Sequence, residues 1–351
     1  MRTKLIILSV LLLLSQACRE IHVKTVIKNN GQILRSYTLI RDVHENGARV
    51  AAHNNLNEDQ LPNLFFPVDT SWKAETHIDT VKNKKISTYS KLFQNKDALQ
   101  LYYDTNQYTL KKLNPRLTLN REFKWLKTIN TYSESMDQIF RGKENLNFFT
   151  KTEKSNIEND NMNDTLQKKY ERWVAYHITD EIAYTVQKFS SKEIDVVDWK
   201  KIMYERIKMS DNNNPLKENN PFDFPELKEK QKELDLSDFD LLIETIEKYS
   251  GNTLSDATKK QIQTSLEKKM EIYMGLYTDK LFYTVQIPGK IVSSNADSVK
   301  GNTAYWNMSP FIAGTPFKME VVSEQSNAGI AVTLGAILII IVFIWLIRRK
   351  G

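Results

Sequence analysis

Cysteine occurs once in the 351 residues, glycine 11 times and histidine five times, and each scarcity removes a class of chemistry. A single cysteine rules out an internal disulfide, so the folded chain must be held by its core. Neither Gly-x-x-x-x-Gly-Lys nor Gly-x-Gly-x-x-Gly is written, which removes the phosphate-cradling loops of nucleotide-binding folds. His22, His44, His53, His77 and His177 never pair as His-x-x-x-His, so no helical zinc site is encoded. Gly-x-Ser-x-Gly is missing, and the sole cysteine stands near the N-terminus, so no activated nucleophile is visible. The acidic run ENDNMND, 158–164, has Met162 where a calcium loop needs an oxygen ligand and lacks the turn glycine; DLSDFD, 235–240, reads as helix capping. The expectation is a protein without catalytic residue, metal or cofactor, and not an enzyme.

Charge excludes a further class. The formal net charge is +6, and Arg2, Lys4, Arg348, Arg349 and Lys350 supply five of it, so the chain between carries almost none. The basic balance reflects the two ends rather than a face for nucleic acid. Mean hydropathy is −0.47 even with two apolar termini included, so the part between them is water-exposed.

Those termini are informative. MRTK followed by LIILSVLLLL is a basic segment and then an apolar stretch too short to span a bilayer, with a small-residue exit at Ser15-Gln16-Ala17. Residues 1–17 thus read as a signal peptide. Cleavage after Ala17 makes Cys18 the first mature residue, the position that bacterial lipoproteins acylate. The stretch resembles a lipobox, with Ser15 in place of the usual Leu and Leu14 one position early. At the other end, residues 328–347 run for 20 positions without a charge, enough at 1.5 Å per residue for a hydrocarbon core about 30 Å thick. Trp345 falls at interfacial depth, and Arg348, Arg349 and Lys350 follow as a cytoplasmic tail, 348–351. Two glycosylation sequons, Asn163-Asp164-Thr165 and Asn307-Met308-Ser309, are about what chance places in an asparagine-rich chain.

Periodicity divides the remainder. In 21–43, Val23, Thr25 and Ile27 alternate, Asn30-Gly31 offers a type I′ turn, and Ile33, Arg35, Tyr37 and Leu39 alternate again, predicting a hairpin. Strands are expected at 84–93 and 116–126. From about 132 to 278 the pattern is helical: Val174, Ile178, Ile182 and Val186 line one face of a helix whose second face carries Tyr170, Trp173, His177 and Tyr184. His177 reads as a core histidine. Prolines break the helices at 212–227, and Phe239, Leu242, Ile243 and Ile246 precede Gly251 as a stop. The next helix carries Ile262, Leu266, Met270, Tyr273 and Tyr277 on one face, Met270 and Met274 serving as core filler. Strands return with Leu281, Tyr283, Val285 and Ile287, then 303–308, then Phe317, Met319 and Val321.

Two stretches carry a family resemblance. PGKIVSSNADSVKGNTAYW, 288–306, is similar to the closing segment of the LppM-like lipoprotein domain through Pro288, Gly289, Asn295, Ala296, Gly301 and Trp306. REFKWLKTINTYSESM, 121–136, with Phe123 and Trp125, resembles the central segment of uncharacterised lipoproteins from Bacteroidetes. The match covers about half the chain. It implies contact with envelope lipid or glycolipid and brings no catalytic residue.

The resulting expectation is an α+β fold in which N- and C-terminal strands form one antiparallel sheet around a helical insertion, with a C-terminal transmembrane helix. Boundaries are 18–130 and 279–325 for the β parts, 131–278 for the insertion, and 328–347 for the span. The expected role is a membrane-anchored envelope lipoprotein in the bacterial inner membrane, with its domain outside the cytoplasm. It would bind lipid, glycan or protein, through acyl-Cys18 as tether and with Trp345, Arg348, Arg349 and Lys350 at the interface. Its ligand-binding residues are not legible, and nucleic acid is no partner. The alternatives are an envelope hydrolase assembled from distant loops and a structural subunit docking through its helices.

Overall fold

A computed structural model of the chain describes residues 19–42, 68–106, 108–142, 148–159, 161–190, 195–209 and 239–327, with Gly329, Thr333, 335–342 and Trp345. These fall into two units. One contains the described residues up to Asp137, Thr278–Met308 and Phe317 onward; the other contains Gln138–Tyr277 and Ser309–Pro316.

The first unit is a β unit. Its strands are β1 (Arg19–Ile27), β2 (Ile33–Asp42), β3 (Lys73–Asp79), β4 (Lys84–Phe93), β5 (Arg116–Lys124), β6 (Lys127–Met136), β7 (Asp279–Gln286), β8 (Lys290–Ser294), β9 (Ser298–Lys300), β10 (Thr303–Asn307) and β11 (Phe317–Ser326). Helix α1 (Lys96–Thr105) and a short 3-10 turn at Thr109–Leu113 lie between β4 and β5. One sheet has the order β3-β4-β2-β1-β7-β10-β9 and the second β5-β6-β11-β8. The period of two explains which residues face inward. Ile21, Val23, Thr25 and Ile27 of β1 are buried, as are Ile33, Arg35, Tyr37 and Leu39 of β2 and Leu281, Tyr283 and Val285 of β7.

The α+β class is observed, and three of its expected details are corrected. First, the terminal strands do pair, but β1 and β7 run parallel, Arg19 opposite Asp279 through Val26 opposite Gln286, and the strands make two sheets rather than one antiparallel sheet. Alternation marks a strand and its inward face but not its direction; parallel neighbours need only a long connection, which the whole chain between them supplies. Second, β6 is a strand through Met136, where a helical pattern was expected from about 132. Its inward residues are Thr128, Asn130, Tyr132, Glu134 and Met136, so three of five buried positions are polar and the apolar alternation is hidden.

Third, no helix among the described residues is long and apolar enough to cross a membrane. That finding overturns the transmembrane helix expected over 328–347. Cys18, Arg348, Arg349, Lys350 and the signal stretch 1–17 lie outside the described residues. Trp345 is described, as a half-exposed helical residue.

The β1–β2 connection also differs from a two-residue turn. Ile27 pairs with Ile33, so five residues intervene, closed by Lys28 N–H to Gln32 O at 2.9 Å and by Gly31 N–H to Lys28 O at 2.9 Å. Only Gly31 takes a positive φ, +85°, whereas a type I′ turn needs two such residues.

The second unit is helical: α2 (Lys151–Glu158), α3 (Asp164–Phe189), α4 (Val197–Met209), α5 (Phe239–Ser250) and α6 (Asp256–Thr278). Helix starts are written in side chains. Thr150 and Glu153 form a reciprocal capping box on α2, and Asn163 accepts from Leu166 N–H on α3. Gly251, at φ +70°, ends α5 with its N–H on Glu247 O. Every residue from Trp173 to Ala183 of α3 is buried, which fits its two apolar faces. Tyr184 of the expected aromatic face is instead exposed, with the Arg141 guanidinium 3.9 Å from its ring centre.

Candidate functional site

The β5–β6 hairpin leaves the core after Leu119. All eight residues from Asn120 to Lys127 are exposed, so this stretch contributes no buried side chain to the interior. At its end Lys124 pairs with Lys127 across the turn formed by Trp125 and Leu126. Trp125 is 83% exposed and Leu126 65%, and Phe123 and Val292 of β8 are also open to solvent. Together with Lys290, Glu324 and Ser326 the turn lines a groove of about 570 Å³ whose rim holds three lysines and one glutamate.

Three local features of this tip each oppose stability. Trp125 sits at φ +42°, a region that favours glycine or asparagine. Lys124 and Lys127 face each other as like charges in a cross-strand pair, which is unfavourable. Large apolar side chains lie in water rather than in a core. The tip is nevertheless held firmly. Asn327 N–H donates to Leu126 O at 2.7 Å, Asn327 Nδ2 donates to Thr128 Oγ1 at 3.0 Å, and Lys127 Nζ reaches Glu324 Oε1 at 2.7 Å. Local choices that contradict stability yet are fastened in place concentrate where a protein meets a partner.

The residues that carried the family resemblance divide between structure and this tip. Gly289, at φ +90°, passes so close to β11 that a Cβ there would lie 2.4 Å from Glu324 O. Ser323 Oγ donates to the Pro288 carbonyl at 2.6 Å, so Pro288-Gly289 is the point where the chain leaves the first sheet for the second. Asn295 Oδ1 accepts from Trp306 Nε1 at 3.0 Å and from Glu320 N–H at 2.7 Å, while its Nδ2 donates to Lys318 O at 2.7 Å. Gly301, at φ +63°, turns β9 into β10. Pro288, Gly289, Asn295, Gly301 and buried Trp306 therefore have structural work. Phe123 and Trp125 do not: they belong to the exposed tip. The strand expected through Leu126 ends at Lys124 and a turn follows; the signal that marks it is Lys-Trp-Leu-Lys, where alternation stops and two cations flank two apolar residues.

Two buried polar clusters are structural. In the helical unit His177 is fully buried, its ring edge-on to Trp173 with centroids 4.4 Å apart and pressed by the backbone at Gly142 and Gly314. Glu181, also buried, accepts from Arg141 N–H at 2.9 Å, Lys269 Nζ at 2.9 Å and Thr185 Oγ1 at 3.3 Å, and Asp180 pairs with Lys200. In the β unit Arg35 pairs with Glu134 between the two sheets, with Tyr37, Tyr103 and Tyr283 ring centres each within 5.9 Å of the guanidinium carbon. Burial is the largest influence on Arg35 and disfavours its charge. The Glu134 carboxylate and the Tyr103, Tyr37 and Tyr132 hydroxyls together outweigh it, holding the guanidinium well above its ordinary pKa. Among the described residues no group of three or more His, Cys, Asp and Glu side chains could hold a metal ion.

No protein-family model matches the chain, and no curated protein matches it. Among solved structures, the NMR structure of the folded domain of LppM from Mycobacterium tuberculosis is similar over 89% of this chain and 93% of that chain, at 8% identity and a TM-score of 0.31. That is a distant structural resemblance to a lipoprotein domain, and nothing about function follows from it.

Proposed function

We propose that the chain is a cell-envelope lipoprotein, held by an acyl group on Cys18, that acts by binding an envelope component rather than by catalysis. The binding surface is the groove at the β5–β6 tip. One observation carries this reading: large apolar side chains, Trp125, Leu126 and Phe123 of the hairpin tip and Val292 of β8, are held in water among lysines by a tip whose residues 120–127 are all exposed. The N-terminal basic and apolar stretch ahead of Cys18 supports the tether and export out of the cytoplasm. The interior polar groups support binding over catalysis, since Arg35, Glu134 and Glu181 are each engaged by neighbouring side chains and buried away from the groove's solvent.

The test is intact mass spectrometry of the mature protein taken from its host's membranes, beside Cys18→Ala. A mature N-terminus at Cys18 with a diacylglyceryl increment, absent from the variant, is expected. An unmodified Cys18 or a cut elsewhere overturns the tether. Co-purified lipid and protein are compared in the same preparations between wild type and Trp125→Ser/Leu126→Ser. Loss of a component with the double variant is expected, and identical profiles overturn the site.

A further inference from the structure

We propose that the β5–β6 tip docks on a lipid bilayer surface carrying anionic headgroups, with Trp125 and Leu126 entering the interface and Lys124, Lys127 and Lys290 meeting the headgroups. This deepens the reading of the tip as a binding surface and rests on it. The occupant follows from the chemistry of the patch. A turn that presents an indole and an isobutyl group at its apex, with cations set immediately behind them, repeats the depth order of a bilayer surface: apolar and aromatic groups deeper, ammonium groups at the phosphates. A protein partner would favour a patch whose charges match fixed partner residues. Here the two lysines nearest the apex oppose each other across the turn, Lys124 beside Glu122 at 3.3 Å and Lys127 beside Glu324 at 2.7 Å, and exposed pairs of this kind are weak enough to exchange for the phosphates of a lipid surface. Lys124, Lys127 and Lys290 beside Glu122 and Glu324 leave the tip with a small positive excess.

Continuity with the chain points the same way. Asn327 latches the turn through Leu126 O and Thr128, and the uncharged run 328–347 begins at the next residue. The latch of the tip is thus the residue that leads, in sequence, into an apolar stretch in which Ile337, Leu338, Ile339, Ile340 and Ile341 are all exposed.

Cys18 does not account for this contact. It precedes β1 directly, whereas Arg121 of β5, four residues short of Trp125, donates to Asn29 O in the loop at the far end of β1. The nine residues of β1 at about 3.3 Å each place roughly 30 Å between Arg19 and that loop. The start of β1, which follows Cys18 in sequence, and the loop that Arg121 meets therefore lie at opposite ends of β1.

The experiment uses the full chain with Cys18→Ser, which cannot be acylated, and one new cysteine, Leu126→Cys, carrying an environment-sensitive fluorophore. Val81→Cys is the control, in the β3–β4 turn beside the start of β1, where Lys84 pairs with Glu20. Each is reconstituted into phosphatidylcholine vesicles with none or about 30 mol% phosphatidylglycerol, where each lysine near an anionic surface strengthens contact about fivefold. The expected result is a blue shift and lipid-quencher accessibility at position 126 but not 81, present in the anionic vesicles and reversed near 0.5 M salt. Lys124→Gln/Lys127→Gln/Lys290→Gln should raise the anionic-lipid fraction needed for the half-maximal shift several-fold. A position-126 signal that ignores lipid charge, salt and the lysines overturns the proposal. A silent tip in both vesicles overturns it too. If the tip variant nevertheless loses a co-purified component from native membranes, the binding reading stands and only the bilayer as occupant falls; if it loses none, both fall.

Discussion

Arg35 and Glu134, 99 residues apart in the chain, meet inside the β unit as a two-pronged ion pair: Nη2 donates to Oε1 at 2.9 Å and Nη1 to Oε2 at 3.0 Å. Arg35 belongs to β2 in the seven-stranded sheet and Glu134 to β6 in the four-stranded one, so this pair fastens the two sheets face to face. Thr25 accepts a further bond from Arg35 and Tyr132 donates to Glu134, so each sheet adds a hydrogen bond to the pair and only Arg35 Nε is left without one. Removing water from two charges costs several kcal/mol, recovered only because geometry and these added hydrogen bonds are good.

The pair should therefore be sensitive to loss of one partner and tolerant of loss of both. Glu134→Leu or Arg35→Met alone is expected to lower unfolding free energy by about 3–5 kcal/mol, since each strands a buried charge. Arg35→Met/Glu134→Leu should recover most of that. Urea unfolding of the four proteins measures it, and a double variant as unstable as the two singles summed would contradict the account.

High pH should unfold the β unit. Burial is the first cause that raises the pKa of Tyr37, Tyr103, Tyr132 and Tyr283. A neutral acid whose folded pKa exceeds its unfolded value of about 10 gives stability that is full below that value and lost as pH rises beyond it. Ultraviolet titration should show some of the 15 tyrosines ionising normally near pH 10 and the rest only together with loss of near-ultraviolet dichroism. Ionisation of all of them while the dichroism persists would mean that the interior is open.

In the helical unit the backbone at two glycines sets the space for one ring. A Cβ on Gly142 would lie 1.8 Å from His177 Nδ1, and one on Gly314 2.3 Å from His177 Nε2. Gly142→Ala and Gly314→Ala are each expected to cost about 1–3 kcal/mol by overpacking. Adding His177→Ala to Gly142→Ala should cost less than the separate effects summed, by about 0.5–3 kcal/mol, in thermal or denaturant unfolding. Strict additivity would show that the ring moves aside freely.

A weaker, acid-dependent contribution comes from the start of α2. The hydrogen bond from Lys169, with the Thr150 N–H bond behind it, lowers the pKa of Glu153. A carboxyl whose folded pKa is depressed stabilises the fold above its unfolded pKa and loses that effect as pH falls through the folded one. Glu153→Gln keeps a capping-box side chain and removes the charge, so it should cost about 0.2–1 kcal/mol at pH 7 for this part-exposed pair. The gap to wild type should close as pH falls below about 4 in thermal melts. A gap that is constant with pH would assign the effect to the cap alone.

Sequence by itself determined the local facts: which segments are strands or helices where apolar residues repeat, as in β2, β4, β7 and α3, and where a helix stops, as at Gly251. These follow from side-chain period and backbone sterics, which act over a few residues. Tertiary structure decided what those patterns are silent about. The parallel pairing of β1 with β7 depends on a partner 260 residues away. The strand at β6 was obscured because Thr128, Asn130 and Glu134 face inward, and a polar residue reads as buried only once Arg35 or Ser323 is known to meet it. The candidate site is half-visible in the sequence: Phe123 and Trp125 carry part of the resemblance, while nothing local marks them as exposed. Whether an indole is core or surface is settled by what the rest of the chain covers. It covers Trp173, Trp199 and Trp306 and leaves Trp125 at the end of a hairpin, latched by Asn327 from 202 residues away.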